Sequence, residues 1–234
     1  MKSLFLIPAR GGSKGFPKKN TALLAGIPLI HYSIAFARCF TTDAHICVSS
    51  DSEEIIACAN QIGLHVPFVR PQELATDTSP TYDSILHAIQ FYQNQGQVYD
   101  TLVLLQPTSP FRRTEFLKEA FLAYNNTLDM VVSVVESHAN PYFNLFEENH
   151  SGFLFKSKST NATRRQDCPI VYQYNGSIYV MNTQSLKRES PNQFSQVIKY
   201  AMPPAYSVDI DSKFDFDFCT YLLEKRSVQL DFNI

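Results

Sequence analysis

Residues 4–20 read LFLIPARGGSKGFPKKN. Leu4, Phe5, Leu6 and Ile7 form an apolar, β-prone run that stops abruptly at Pro8-Ala9-Arg10. Gly11, Gly12 and Gly15 follow, and Arg10, Lys14, Lys18 and Lys19 spread four cations through the same loop. Glycine lets backbone N–H groups turn toward one point and lets a ligand approach closely. Cations gathered at such a point want a polyanion. The stretch therefore reads as the first buried strand of an α/β sheet, emptying into a phosphate cradle at its carboxyl end, where such sheets bind ligands. A lysine-rich surface loop is the plainer alternative; the arginine directly after the apolar run favours the cradle.

Two commoner phosphate loops do not fit. No window supplies the G-x-x-x-x-G-K-[ST] of a P-loop. The glycines at 11, 12 and 15 do not make the G-x-G-x-x-G of a dinucleotide fold, and Pro17 stands where that helix would be running. The loop is expected to stay open to about Pro28, a favourable first-turn proline for the next helix.

Outward from this stretch, short apolar runs alternate with helical periodicity. Strands are expected at 44–49, 65–69 and 102–105, the last all-apolar as a central parallel strand should be. Helices are expected at 28–39, at 53–61 behind a Ser52 cap, at 81–92, and from Thr114 with Phe116, Leu117, Ala120, Phe121 and Tyr124 on one face. This βαβα rhythm predicts an α/β fold, a three-layer αβα sandwich with a mostly parallel sheet and right-handed crossovers. It breaks after a strand at 130–135. Residues 138–169 offer no helix but a hairpin, with Phe143 and Phe146 before a turn at 149–152 and Phe153 and Phe155 after it. A projecting hairpin with an aromatic face needs something to bury it, so 138–170 is expected to be a small β-rich dimerisation arm within a single domain of 1–234. The sheet is expected to resume at 171–181 and 206–210, and a helix at 214–225 closes the chain.

The 234 residues suffice for one large domain, and 44% apolar with 18% charged residues is an ordinary globular composition. A net charge of −2 argues against a general nucleic-acid or membrane surface. No apolar stretch approaches a membrane span, and Pro8 and Arg10 cut the first hydrophobic run too short for a signal peptide. Five cysteines, none in a C-x-x-C pair, read as reduced thiols of a cytoplasmic protein.

Asp209-Ile210-Asp211 is the second strong feature. On an extended segment two aspartates two apart share a face, and such a pair of carboxylates suits Mg²⁺, which keeps waters or substrate phosphates in its remaining positions. Ser212 and Asp215 instead fit a helix capping box. A polycationic loop and a Mg²⁺ pair in one α/β domain suggest phosphoryl or nucleotidyl transfer. Other expected strand ends carry Ser49-Ser50-Asp51, Arg70-Pro71 and Gln106-Pro107-Thr108-Ser109-Pro110, where two prolines stiffen a polar loop. Asn175-Gly176 is either a hairpin turn or a bulge presenting Asn175 to a ligand.

Taken together, IPARGGSKGFPKKN (7–20), SSD (49–51), RP-x-x-LA-x-D-T (70–78), LQPTSPFR (105–112), YNGSIY (174–179) and DID-x-x-x-DF (209–216) resemble the CMP-sialic acid synthetases, the acylneuraminate cytidylyltransferases. The resemblance implies a nucleotide-diphospho-sugar transferase-like fold and a reaction in which the anomeric hydroxyl of a nine-carbon 2-keto sugar acid attacks the α-phosphate of CTP. By match to the family motifs, Arg10 and Lys14 would hold the triphosphate with Lys19 nearby. Ser13, Asn20, Arg70 and the backbone near Ser79 would surround cytidine. Thr81, Gln106, Asn175 and Tyr179 would line the sugar pocket, and Arg165 of the arm would meet the sugar carboxylate. Asp209 and Asp211 would bind Mg²⁺, with Asp211 also assisting deprotonation of the hydroxyl. The family's homodimers imply an arm that crosses to a partner. The alternatives are the related synthetase for the eight-carbon sugar Kdo, a non-catalytic nucleotide-binding regulatory protein of the same fold, and a sugar-1-phosphate nucleotidyltransferase, whose G-x-G-[ST]-R-L start is absent.

Overall fold

The computed structural model describes residues 1–12 and 15–234. Its first strand, β1 (Ser3–Pro8), is buried along its length, and the alternation of its side chains builds two cores at once. Phe5 and Ile7 point into one core with Ile30 and Ile34 of α1 (Leu29–Arg38), Ile55 of α2 (Glu53–Gln61) and Phe116 of α4 (Thr114–Ala123). Leu4 and Leu6 point into the other with Ile85 and Ala88 of α3 (Thr81–Asn94) and Leu186 of α5 (Thr183–Arg188). A strand apolar on both faces needs helices on both, which is the three-layer αβα arrangement.

The central sheet also contains β2 (Ile46–Ser49), β3 (Thr101–Leu104), β4 (Met130–Glu136), β5 (Tyr172–Asn182) and β6 (Val197–Ala201). Its order is β6-β4-β5-β3-β1-β2. β1 pairs in parallel with β2, Phe5 opposite Ile46, and with β3, Ser3 opposite Thr101. Only β5 is antiparallel to its neighbours, so the sheet is mostly parallel. A third cluster, with Leu24, Tyr32, Phe111, Ile210 and Phe216, fastens α6 (Lys213–Glu224) beside a short hairpin, Leu23–Leu24 with Ile27–Pro28. The Ser212–Asp215 capping box at the start of α6 is present, Asp215 Oδ2 accepting from Ser212 N at 2.7 Å.

Three expectations fail for physical reasons. Residues 65–69 touch the sheet only through one bridge, Ser50 to Val69, because Pro67 brings no N–H to a ladder. Residues 206–210 form no strand. Pro203 and Pro204 lead into a 3-10 turn, and the segment beyond is extended but tied down by Ile210 N donating to Thr108 O at 2.8 Å. The sheet edge is taken instead by β6, which precedes those prolines. The loop after β1 is broken by a 3-10 turn at Lys19–Thr21 before the short hairpin, so it does not run open to Pro28. Ser52 does precede α2, but its hydroxyl makes no capping bond.

The expected hairpin at 138–170 is a two-stranded ribbon, Phe146–Glu148 with Leu154–Lys156, turned at Asn149 to Gly152. Phe146, Phe153, Leu154 and Phe155 are all exposed, Phe153 at 70%. Among the described residues no helix is long and apolar enough to cross a membrane.

Candidate active site

A cavity of about 550 Å³ opens at the carboxyl ends of β1 and β3. Six chain segments converge on it: the β1 end with Arg10, the turn at Lys19 and Asn20, Arg70 to Ser79, the start of α3 at Thr81, the 106–108 loop, and Asp209 with Asp211. Three cations from separate segments thus share the cavity with three carboxylates, Asp77, Asp209 and Asp211. Ser13 and Lys14 lie outside the described residues.

The loop after β1 is fastened by two polar anchors, Asp51 and Asn20. Asp51 Oδ1 accepts from Gly11 N at 2.9 Å, and Asn20, nearly buried, donates from Nδ2 to the Arg10 carbonyl at 3.1 Å. The Ser49-Ser50-Asp51 string therefore holds the loop at its base. A side chain at Gly15 would bring its Cβ within 2.4 Å of the Asp211 carbonyl oxygen, so glycine lets the loop lie flat against the acidic segment.

Arg10 donates to the Thr76 carbonyl at 2.9 Å and lies 3.3 Å from Asp77 Oδ1. Lys19 Nζ, mostly buried, bridges the Ile210 carbonyl at 2.9 Å and Asp211 Oδ1 at 3.0 Å. Arg70 is buried against β2, its Nε donating to Ser49 Oγ at 3.0 Å; burial pulls its guanidinium below the ordinary arginine range. Ser79 Oγ donates to the Glu73 carbonyl at 2.6 Å, which closes the turn ahead of α3.

Asp209 and Asp211 flank the buried Ile210, so the extended alternation expected of them survives without a strand, and both line the cavity. Asp209 opens onto the cavity but is hemmed in by protein on its other sides. That enclosure, with the Asp211 charge adding to it, raises its carboxyl above the usual range, against a hydrogen bond from Thr108. No cluster of three or more metal-binding side chains forms among the described residues. Two hard carboxylates on one cavity wall nonetheless fit Mg²⁺, which completes its shell with waters and phosphates.

The sugar-pocket set divides. Thr81 and Gln106 line this cavity. Asn175 does not: it is 2% exposed, accepts from Ser133 Oγ at 2.6 Å and donates from Nδ2 to Ser207 Oγ at 2.9 Å. Its side-chain amide is taken up by protein partners, so the bulge is real but turns Asn175 inward. Tyr179 also lies off the cavity, edge-on to Tyr174 at 6.1 Å, and burial pushes its phenol up to about 12. Arg165 sits at the base of the arm, donating to His138 Nδ1 at 3.2 Å, beside a separate cavity of about 490 Å³. Within one chain it is not brought to the main cavity.

Gly176 explains the bulge. Its φ is +72°, and a Cβ there would fall 2.7 Å from Gln106 Oε1 and 2.8 Å from Ser109 Oγ. The Asn-Gly step is thus not a hairpin turn; it makes room for the 106–110 loop inside one continuous strand, at a register shift between Val132 and Val134. Gly176→Ala is expected to cost about 1–3 kcal/mol of stability through the strained backbone alone, and to lower turnover by displacing Gln106. Urea unfolding checks the first part; an unchanged midpoint would refute it.

Residues that the sequence left without a role are Thr76 and Asp77, which hold Arg10, and Arg112, which lies fully buried behind the 106–110 loop. The only signal for Arg112 was its place at the end of the LQPTSPFR string.

A cytidylyltransferase family model matches residues 4–226. CMP-N,N'-diacetyllegionaminic acid synthase of Legionella pneumophila is 35% identical over 232 residues, 96% of this chain and 97% of that one. N-acylneuraminate cytidylyltransferase of Streptococcus agalactiae is 34% identical over 221 residues, 92% of this chain and 52% of that longer protein. Among solved structures, CMP:2-keto-3-deoxy-manno-octonic acid synthetase complexed with CTP superposes with a TM-score of 0.67 at 16% identity, over 97% of this chain and 100% of that one, a likeness of fold.

Proposed function

The chain belongs to the cytidylyltransferase family, and on that premise we propose that it joins CTP to a nine-carbon 2-keto sugar acid, an N-acylneuraminate or a related nonulosonic acid, with release of pyrophosphate. The observation that carries the reading is the meeting of Arg10, Lys19 and Arg70 with Asp209 and Asp211 on one cavity. A triphosphate brings the negative charge those cations want, and a carboxylate pair suits the Mg²⁺ that accompanies it.

In this reading the anomeric oxygen of the sugar acid forms a bond to the α-phosphorus of CTP while the bond from that phosphorus to the pyrophosphate oxygen breaks. Arg10 exchanges its contact with Asp77 for the phosphates, and Lys19 stays on Asp211 at the lip of the cavity. Lys14 and Ser13 belong to the same loop and join them by their motif position. Asn20, Arg70 and the Ser79 backbone take the cytidine; Thr81 and Gln106 take the sugar. Asp209 and Asp211 hold Mg²⁺, which supplies charge neutralisation for the phosphates. Asp211, the more open of the two, accepts the proton of the attacking hydroxyl.

Asn175 and Tyr179 support the sugar pocket from behind in this scheme, through the bulge. Arg165 reaches a sugar carboxylate only on a partner's cavity, which fits the exposed aromatic ribbon as a dimer arm. The protein is expected to be a homodimer that covers Phe146, Phe153 and Phe155 in part; a monomer at micromolar concentration by light scattering would refute this. Free thiols at all five cysteines support a cytoplasmic location.

The test is pyrophosphate release from CTP and Mg²⁺ across a panel of 2-keto sugar acids that includes Kdo. Release with a nine-carbon acid is expected. Release with Kdo alone would keep the chemistry and change the substrate, and CTP binding without release would overturn the activity.

A further inference from the structure

Arg112 is the largest fully buried side chain among the described residues. Burying a charge costs several kcal/mol unless something specific is gained. Its three hydrogen bonds among the described residues all go to neutral oxygens. Nη2 donates to the Gln106 carbonyl at 2.7 Å, Nε to the Ser177 carbonyl at 3.0 Å, and Nη1 to Ser33 Oγ at 3.0 Å. The guanidinium carbon Cζ lies 5.6 Å from the centroid of the Phe36 ring. Burial pushes its pKa down to about 9, and the Asp209 charge opposes that fall, so it stays protonated at neutral pH.

The acceptors belong to three different elements: the loop after β3, the strand β5 just past its bulge, and the helix α1. A planar fork can serve such acceptors at once where a lysine serves them as a point charge. The loop carbonyl it holds is that of Gln106, a residue that lines the cavity; its side-chain amide oxygen lies beside Gly176. On the far side the same amide rests in the space that Gly176 leaves open, and Ser109 Oγ donates to the Asn175 carbonyl at 2.9 Å. Gln106 is therefore fixed twice, by its backbone through Arg112 and by its side chain against the bulge. A volume-filling apolar residue would pack the site as well but would take the guanidinium donor from both carbonyls, leaving the Gln106 oxygen to Ser109 N at 3.2 Å and Ser33 Oγ at 3.4 Å.

We propose that Arg112 is a positioning residue for the sugar-acid substrate, acting through Gln106. The assignment of Gln106 to the sugar rests on the function proposed above; the clamp itself does not. Arg112→Lys is expected to raise the KM for the sugar acid about tenfold, as a sub-ångström displacement of a substrate contact does, while the KM for CTP moves less than about twofold. In a Gln106→Ala background the same substitution is expected to add less than about twofold, because its route of action has gone. A penalty that falls equally on both substrates, or persists undiminished in that background, would overturn the proposal.

A substrate-free measurement separates the clamp from the reading of function. The Gln106 side-chain amide resonances, assigned by their loss in Gln106→Ala, are expected to shift in Arg112→Lys and, more weakly, in Ser33→Ala, which leaves the guanidinium in place but removes a second donor to the Gln106 carbonyl, Ser33 Oγ at 3.4 Å. Resonances unmoved in both would sink the clamp whatever the substrate proves to be. A shift, together with a protein that uses no sugar acid, would uphold the clamp and discard the functional reading.

Discussion

Arg10→Ala is expected to lower kcat/KM for CTP by roughly 100- to 1,000-fold, the usual loss when a charge-stabilising donor leaves a reaction centre. The argument is local. Arg10 is the first residue beyond the buried end of β1 that can reach the cavity, and its loop is pinned on both sides, Gly11 to Asp51 and Asn20 to the Arg10 carbonyl. Its guanidinium is about one third exposed and spans the Thr76 carbonyl and Asp77, so it is aimed into the cavity before any ligand arrives. Stability is expected to change little, because a half-exposed ion pair contributes only about 0–1 kcal/mol. Arg10→Lys keeps the charge but not the fork and is expected to fall between the two. Steady-state kinetics beside a thermal melt decides it: an Arg10→Ala enzyme at near wild-type rate would remove Arg10 from the mechanism.

Asp211→Asn is expected to cost a similar factor, about 100-fold or more, on the scale of lost transition-state electrostatics. Two carboxylates flanking one buried isoleucine repel each other, and the rise in the Asp209 pKa records both its enclosure and that repulsion. The arrangement is favourable only with a cation on the wall, and Lys19 answers part of that need at Asp211. The variant should therefore need far more Mg²⁺ for half-maximal rate and should lose the stabilisation that Mg²⁺ with CTP gives wild type in a thermal melt. Asp209→Asn should behave alike. Asp215→Asn should not alter the Mg²⁺ requirement, since that carboxylate caps α6. A wild-type Mg²⁺ titration curve for Asp211→Asn would exclude the pair as the metal site.

Much of this architecture was legible because the strongest signals are local. The four apolar residues of β1 declare a strand covered on both faces, and the helical stripes read at 28–39, 81–92 and from Thr114 declare what covers it, the helices themselves running Leu29–Arg38, Thr81–Asn94 and Thr114–Ala123. The capping box before α6 was readable from two residues. Strand pairing was harder, since it depends on what a segment lies beside. Val197–Ala201 is short, carries Lys199 and is half-open to solvent, so nothing in its composition distinguishes it from loop. The apolar look of 206–210 comes from packing under α6, with Ile210 in that cluster, and not from a ladder. At Asn175-Gly176 a positive φ was foreseeable, but a turn and a bulge require the same torsion; only the loop across the sheet decides between them. Asn175 and Arg112 share one lesson. A polar residue within a functional motif can act on the frame that holds the ligand contacts, and sequence cannot tell the two apart.

Lys19 reaches the Ile210 carbonyl across 191 residues of chain, and Gly15 lies against the Asp211 carbonyl. The two walls of the cavity are therefore made at opposite times. On a ribosome adding about 5–20 residues per second, the cationic loop waits on the order of 10–40 s for the acidic segment that completes it. During that interval the nascent chain carries a cationic loop without its facing carboxylates, so the cavity closes only once Asp209 and Asp211 have been made, and a chain cut short before Asp209 would lack one of its walls however well its sheet had formed.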